Sequence, residues 1–288
     1  MRGFIAENGY FSNASTVAQR TELTKELKKR GVACDAIGTN RIRAGVAGEG
    51  VFADAGDYDF CIFLDKDVLL ARMLETKGLK LFNRAEALRL CDDKMLTLVA
   101  LSGTGLRFPA TISSPLMYTE NDDAAFLDRV EREIGYPVVV KKVYGSMGNG
   151  VFLAENRADL NALFSRLRLY PHLYQQFIGK GGEDYRVIVI GGKAVAAMKR
   201  KNDCDFRSNI EQGGVGINAE ITSGLRFVAE RAANALGLDY AGVDILSDGE
   251  ELYLCEVNSN AFFSGIERAT GINVAALYAE HIVKNIGK

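Results

Sequence analysis

Residues 240–246 and 252–258 are both apolar and β-prone, and the Ser-Asp-Gly-Glu-Glu run between them makes a hairpin the natural reading. The stretch runs Asp244-Ile-Leu-Ser-Asp-Gly-Glu-Glu-Leu-Tyr-Leu-Cys-Glu256-Val-Asn258. Side chains alternate along a strand, so Glu256 and Asn258 share one face and Val257 takes the other. A two-residue turn at Asp248-Gly249 pairs Asp244 with Tyr253 and parts the carboxylates; a three- or five-residue connection puts Asp244 on the face of Glu256 and Asn258. In the second case two carboxylates and an amide oxygen gather, hard ligands suited to Mg²⁺ held against a phosphate. A solvated sheet face carries the same period-two polarity. Against it, Leu246, Leu252 and Leu254 read as sharing the face of the acids, and carboxylates on an apolar face need a cation or donor to offset their desolvation.

A chain of 288 residues, 48% hydrophobic and 25% charged, can form two or three lobes with a substantial core. A net charge of −2 gives no bulk pull toward nucleic acid or anionic membrane, so neither is an expected partner. No apolar run approaches a membrane span, and the start, Met-Arg-Gly-Phe-Ile-Ala-Glu-Asn, lacks a signal-peptide core. Cys34, Cys61, Cys91, Cys204 and Cys255 are odd in number with no Cys-x-x-Cys pair, which suits a reducing cytoplasm. His172 and His281 are the only histidines and have no metal-ligand spacing, which argues against a histidine-rich zinc site and leaves two candidates for a Ser-His-Asp triad.

Along the chain, strands at 3–8, 32–37 and 59–64 alternate with helices at 15–30 and 68–77, implying a parallel α/β lobe. The aperiodic, glycine-rich 38–56 reads as a long loop. Asn83-Arg-Ala-Glu86 reads as a capping box opening one helix through Asp93-Lys94 to about 101. A helix at 122–134 precedes Tyr136-Pro-Val-Val-Val-Lys141-Lys142, whose lysines lie on opposite faces, so one points inward unless the strand is at an edge. Tyr144-Gly145-Ser146-Met147-Gly148-Asn149-Gly150 is a glycine-rich turn whose free amides can wrap an anion. It is neither a Walker loop nor a Rossmann turn. Asn156 caps a helix to about 169, and a strand at 172–178 leads to the Gly179-Lys-Gly-Gly joint. A hairpin turns at Gly191-Gly192, and helices at 223–236 and 273–286 flank the acidic hairpin.

Taken in order, Asp93-Lys94, Val140-Lys141 before Gly145-Ser-Met-Gly-Asn-Gly150, Gln175-Gln-Phe-Ile178, Asp184-Tyr-Arg186, Asp205-Phe-Arg-Ser-Asn209 before Gly213-Gly214, Gly242-Val-Asp244, Glu256-Val-Asn258 and Gly265-Ile-Glu-Arg-Ala-Thr-Gly271 resemble the ATP-grasp superfamily, and within it the RimK-type glutamate ligases. The resemblance covers about 60 to the C-terminus. It implies an α/β chain, α+β toward its end, with an N-terminal parallel lobe at 1–85, a central lid subdomain at 86–178 and a C-terminal ATP-grasp subdomain at 179–288. By it, ATP lies between two antiparallel sheets, with Lys94 and Lys141 at the phosphates and Gly145, Ser146, Met147 and Gly148 as the lid. Gln176, Phe177 and Ile178 form the adenine hinge, where relatives usually carry Glu in place of Gln176. Asp244, Glu256 and Asn258 hold two Mg²⁺ ions, with Mn²⁺ as a substitute. Arg200 steadies the acyl phosphate, Asp184 belongs to the nucleotide site, Arg207 and Asn209 lie on the γ-phosphate side, and Arg186 meets a substrate carboxylate.

The implied activity joins a small-molecule or peptide carboxylate to an amine through an acyl phosphate, releasing ADP and phosphate, with a glutamate-like amino acid as one substrate. A homo-oligomer is allowed by the resemblance. Two other activities fit the same fold: an ATP-binding regulator without turnover, and a kinase. The pattern departs from RimK-type ligases after Asn258, where Ser-Asn260-Ala-Phe262-Phe replaces a Pro-Gly turn and an acidic residue, and at Glu211-Gln212, where a basic residue is common. Both departures fall on the expected acceptor side and suggest a more apolar pocket, with Asn260 and Phe262 as substrate contacts.

Overall fold

The structure, a computed structural model, describes residues 1–287, the side chain of Glu211 excepted. The chain opens with β1 (Arg2–Glu7), α1 (Ala14–Lys29) and β2 (Ala33–Gly38), then a hairpin of β3 (Arg43–Ala47) and β4 (Gly50–Asp54), then β5 (Phe60–Phe63), α2 (Val68–Thr76) and β6 (Lys80–Phe82). Four of these strands form a parallel sheet in the order β2-β1-β5-β6. Phe4, Ile5 and Ala6 and all of Phe60–Phe63 are buried, as continuous apolar runs must be in a sheet covered on both faces.

Two expectations fail in this region. Part of 38–56 is not loop but the β3–β4 hairpin, with Gly45 opposite Phe52. Its half-exposed, glycine-rich strands carry too little apolar alternation to read as strands. Asn83 is also not a helix cap. It is buried, its amide donating to the carbonyls of Tyr240 (2.8 Å) and Ser259 (2.9 Å) while its oxygen accepts from the amides of Asp239 (2.7 Å) and Tyr240 (3.0 Å). Long-range backbone groups outcompete the local capping box, and Glu86 pairs with Arg72 and Arg89 instead. The expected single helix is two, α3 (Ala85–Asp92) and α4 (Lys94–Leu101), broken at Asp93, which caps the second by accepting from the Leu96 amide at 2.8 Å.

The middle of the chain contributes β7 (Thr111–Ser113), α5 (Ala124–Ile134), β8 (Val138–Lys142), β9 (Val151–Ala154), α6 (Arg157–Leu167) and β10 (His172–Gln176). They form an antiparallel sheet, β7-β10-β8-β9, with one face packed through Val138, Val140 and Tyr174 on Phe126, Val130, Leu160 and Phe164. The opposite face carries Val139, Lys141 and Gln175.

The last part is β11 (Glu183–Ile190), β12 (Lys193–Lys201), β13 (Val215–Asn218), α7 (Ser223–Leu236), β14 (Tyr240–Ser247), β15 (Leu252–Asn258), α8 (Phe263–Thr270) and α9 (Val274–Asn285). The strands form an antiparallel sheet in the order β13-β12-β11-β14-β15. Gly191 (φ 54°) and Gly192 (φ 76°) make the β11–β12 turn, where both positive φ values suit glycine. One sheet face, with Val187, Val189, Val243 and Ile245, packs on α7, while Ile188, Ile190, Met198 and Tyr240 on the other pack against Ile5, Phe82 and Tyr278. Farther along these strands the second face turns polar, at Asp184, Arg186, Arg200, Asp244 and Glu256. No helix among the described residues is long and apolar enough to cross a membrane.

In α1, Glu26 is buried and accepts from Lys29 at 2.6 Å and Arg30 at 2.8 Å. Those bonds depress its carboxyl to about 2. A depressed carboxyl contributes stability above its unfolded pKa and loses it as pH falls through the folded value. Glu26→Gln is therefore expected to lower stability by about 1–2 kcal/mol at neutral pH. In urea unfolding the gap from the parent should close between the unfolded carboxyl value and about 2.

Candidate active site

The two sheets approach each other with their polar faces inward, around β15. The β14–β15 connection spans four residues, Asp248 to Glu251, since Ser247 pairs with Leu252. That register alone would set Asp244 opposite Cys255 and turn Glu256 to the other face. A register shift between Asp244 and Ile245 restores the pair: Ile245 faces Leu254, but Asp244 faces Glu256 and Gly242 faces Asn258. The acids therefore meet through a bulge at Cys255 and not through either expected turn length. The same shift moves Leu252 and Leu254 to the α7 face with Ile245, correcting the reading that put them beside the acids; Leu246 stays on the acid side and lines the site.

Across β12-β11-β14-β15, cross-strand register sets two acid–arginine pairs beside a pair of acids. Asp184 lies opposite Arg200, Arg186 opposite Asp244, and Asp244 opposite Glu256. Arg186 grips Asp244 with two bonds of 2.7 Å. Arg200 reaches Asp184 through Nε at 2.7 Å and through Nη2, and Asp244 at 3.1 Å. Burial pushes the Asp244 carboxyl up, but Arg186 and Arg200 outweigh it and hold it below the usual carboxylate range. Burial likewise opposes the Arg200 charge, and Asp244 and Asp184 more than restore it. Arg200 is 1% exposed, and its Nη1 has no hydrogen-bond partner among the described residues. A buried guanidinium N–H left over after two carboxylates are served has room for one more anionic oxygen.

On the facing sheet Lys141 is the inward lysine, buried, its Nζ donating to Gln175 Oε1 at 2.6 Å and 3.5 Å from Cys255 Sγ. Lys142 lies on the other face over the Tyr170 ring. Lys94, at the start of α4, donates to the Gly145 carbonyl at 2.9 Å and stands 3.3 Å from Glu256. The break at Asp93 puts it there. The glycine turn is pinned from across the site, as Arg207 Nη1 donates to the Gly148 carbonyl (3.1 Å) and Gln212 Nε2 to that of Met147 (3.1 Å). Arg207 is itself paired with Asp205 at 2.6 Å.

Two cavities open here. The smaller, about 100 Å³, lies between the sheets and is lined by Lys94, Lys141, Gly145, Ser146, Gly148, Gln176, Phe177, Ile178, Asp184, Arg200, Arg207, Asn209, Asp244 and Glu256. The larger, about 370 Å³, lies between β15 and the N-terminal sheet and holds Met147, Arg186, Asn258, Asn260 and Phe262. They adjoin at Ser146, Asn209 and Glu256, which line both. Every residue given a nucleotide, metal, catalytic or substrate role in the sequence thus lines one cavity or the other, whereas Asp93, Gly213-Gly214 and the 265–271 stretch line neither. Two have local duties as well: Asn260 donates to the Leu64 carbonyl (2.7 Å) and accepts from Gln19 (3.1 Å), bracing the pocket wall, and Gln176 accepts from the Ala110 amide at 3.3 Å.

Among the described residues no three His, Cys, Asp or Glu side chains form a ready metal cage. The donor set that is present, two carboxylates and the Asn258 oxygen, suits Mg²⁺, which keeps waters and shares phosphate oxygens where a full protein cage is missing. Asn258 turns its amide nitrogen to Asp244 at 3.3 Å, leaving its oxygen available.

Sequence reasoning quoted Gln175 and Gln212 within motifs but gave them no role of their own, and it read Cys255 only as one of five cysteines. Gln175 could have been found by alternation, since it shares the inward face of the central sheet with Lys141. Cys255 is inward only because of the bulge. The N-terminal residues of the larger cavity, Glu7, Asn8, Phe11, Gln19 and Asp65, carry no sequence signal of a site.

Residues 91–282 match the family described as the RimK-like ATP-grasp domain. A probable alpha-L-glutamate ligase of Halorhodospira halophila is 38% identical over 218 residues, covering 74% of this chain and 70% of that protein. Human N-acetylaspartylglutamate synthase A is 33% identical over 75% of this chain, the aligned part being 56% of its length, so the chain spans little more than half of that relative. Among solved structures, D-alanine–D-alanine ligase from Bacillus anthracis complexed with ATP superposes with a TM-score of 0.76 at 20% identity, over 99% of this chain and 97% of that one.

Proposed function

The chain belongs to the RimK-like ATP-grasp family, and from that premise we propose that it is an ATP- and Mg²⁺-dependent ligase joining a carboxylate to an amine. What carries the reading is the convergence of Lys94, Lys141 and Arg200 Nη1, unpartnered among the described residues, on one inter-sheet cavity whose wall holds Asp244 and Glu256, with Asn258 beside them on β15 in the adjoining cavity. Four cations (Lys94, Lys141, Arg200, Arg207) and four carboxylates (Glu183, Asp184, Asp244, Glu256) line the smaller cavity, so a polyanionic ligand there needs the charge that a bound metal would add. Phe177 and Ile178 would receive the adenine, and Lys94 and Lys141 the phosphates, all four lining the same cavity.

In the first step a substrate carboxylate oxygen attacks the γ-phosphorus and the bond to the β-phosphate oxygen breaks, releasing ADP. Two anions must meet for this to happen, and Lys94, Lys141 and Arg200 screen them. Asp244, Glu256 and Asn258 would hold Mg²⁺, which supplies further neutralisation of the phosphate oxygens. In the second step an amine attacks the acyl carbon, phosphate departs, and the amine loses a proton. Arg200 Nη1 is placed to stabilise the oxyanion of that step, a contribution of several kcal/mol in comparable sites. The glycine turn, latched by Arg207 and Gln212, keeps water from the acyl phosphate.

We further assign a glutamate-like amino acid as one substrate, two metal ions with Mn²⁺ able to replace Mg²⁺, and a reducing cytoplasm as the setting. The test is incubation with ATP, Mg²⁺ and panels of acids and amines. ADP and phosphate release that requires both an acid and an amine supports ligation. A stable phosphoproduct would replace it with a kinase, and nucleotide binding without turnover with a regulator. The lid offers a further check. Gly148 has φ 74°, and a Cβ there would lie 3.1 Å from Asn209 Oδ1. Gly148→Ala adds about 1–2 kcal/mol of left-handed strain to the closed turn, so the KM for ATP should rise about tenfold.

A further inference from the structure

The parallel sheet reverses its winding between β1 and β5, and the larger cavity opens at the carboxyl ends of those two strands, where Glu7 ends β1 and Asn8 follows it, and Leu64 and Asp65 follow β5. Such a switch point is where open α/β sheets take up ligands. The charges on this wall do not cancel. Glu7 is paired with Arg20, and Asp92 with Lys66 at 2.8 Å. Asp65, 7% exposed, has no ion-pair partner among the described residues. Neutral donors alone serve it: the Lys66 amide at 2.6 Å, Thr39 Oγ1 at 2.9 Å and Asn8 Nδ2 at 3.3 Å from each oxygen. On the N-terminal wall three carboxylates against two cations leave one negative charge, carried by the buried member; across the cavity Arg186 is held by Asp244 and Glu256 stands beside Lys94. A carboxylate kept out of water without a counter-charge is costly, and a cationic ligand would relieve that cost. Around it Phe11, Leu64 and Phe262 supply an apolar lining.

We infer that Asp65 is a specificity-determining residue that receives the ammonium group of the molecule held in the larger cavity, with an aliphatic body against Phe11, Leu64 and Phe262. The cavity's size, about 370 Å³, suits a molecule of amino-acid dimensions. Calling that molecule a substrate rests on the ligase reading; the preference for an ammonium group does not. A carboxylate of the occupant would find Arg186 on the far side of the cavity, but one placed on this wall would meet the like charge of Asp65.

The experiment uses the full chain and ligand-observed NMR with n-butylammonium, butyrate and 1-butanol as probes. The wild type should bind n-butylammonium about tenfold more tightly than 1-butanol and butyrate most weakly, with nuclear Overhauser contacts from the probe's methylenes to Phe262 and Leu64. Asp65→Asn should erase the preference while Mg-ADP binding and the melting temperature stay as in the parent. Asp57→Asn, at an exposed acid of the same lobe, should change nothing. Butyrate binding as well as the amine, or an ammonium preference intact in Asp65→Asn, overturns the assignment. Should Asp65→Asn fail to fold, the wild-type contacts decide, and a probe that never touches Phe262 or Leu64 counts against it. Absent turnover with the ammonium preference intact would sink the ligase reading alone.

Discussion

Glu256→Gln should reduce ADP-forming turnover by about 10³-fold or more, with the melting temperature close to that of the parent. Glu256 lies on the boundary of both cavities, directly opposite Asp244 and 3.3 Å from Lys94. It is the one carboxylate of the proposed metal set that no arginine holds, so its charge is the most available to a cation. The amide isostere keeps shape and packing but removes that charge. Lys94 then has no carboxylate beside it, and the cation that should offset the γ-phosphate is bound weakly. The signature is a large fall in kcat with Mg²⁺ dependence moved to higher concentration. Undiminished turnover would refute the metal assignment and leave Glu256 as a partner of Lys94 only.

The second large effect concerns Arg200, where stability and activity are tied to one side chain. Among the described residues its guanidinium alone pairs with both Asp184 and Asp244, and all three are buried. Arg200→Met fills the space but leaves Asp184 without its cation, and breaking a buried pair this way costs about 3–5 kcal/mol. Asp244 keeps Arg186, which softens the loss on that side. Turnover should fall about 10²–10³-fold, as when a preorganised oxyanion donor is removed. Arg200→Lys separates the two roles. It returns a charge to Asp184 and so much of the stability, yet a single ammonium cannot serve two carboxylates and an incoming oxygen in a planar fork. Urea unfolding and kcat measured on both variants decide the matter. If Arg200→Lys recovers turnover along with stability, Arg200 is structural and the oxyanion role falls.

Legibility from sequence differed sharply between parts of this molecule. The α/β alternation of the N-terminal lobe was readable because Phe60–Phe63 and the α2 face carry their pattern locally, while α1 buries Gln19 and Glu26 beside Leu23 and Leu27 and gives a weaker signal. Lys141 was readable as one of two opposed lysines, and the structure selects it because β8 is an interior strand and its outer face is filled by α5 and α6. Asn83-Arg-Ala-Glu86 misled for the opposite reason. A capping box is a local competition for backbone donors, and here β14 and the segment after β15 offer Asn83 four stronger, distant partners. The 38–56 hairpin was invisible because its strands pack only half their surface.

Sequence alone determined the kinds of chemistry within reach: hard oxygen donors near the end of the chain, two lysines and a glycine turn that can cradle an anion, and almost no histidine for zinc or triad work. Those are properties of side chains and need no neighbours. Which donors meet was a tertiary decision. A single extra residue at Cys255 puts Glu256 across from Asp244, a break at Asp93 delivers Lys94, and closure of the N-terminal sheet onto β15 creates a cavity floored by Asp65. Register, helix breaks and docking depend on energies summed over contacts distant in sequence, and no window of the chain contains those sums.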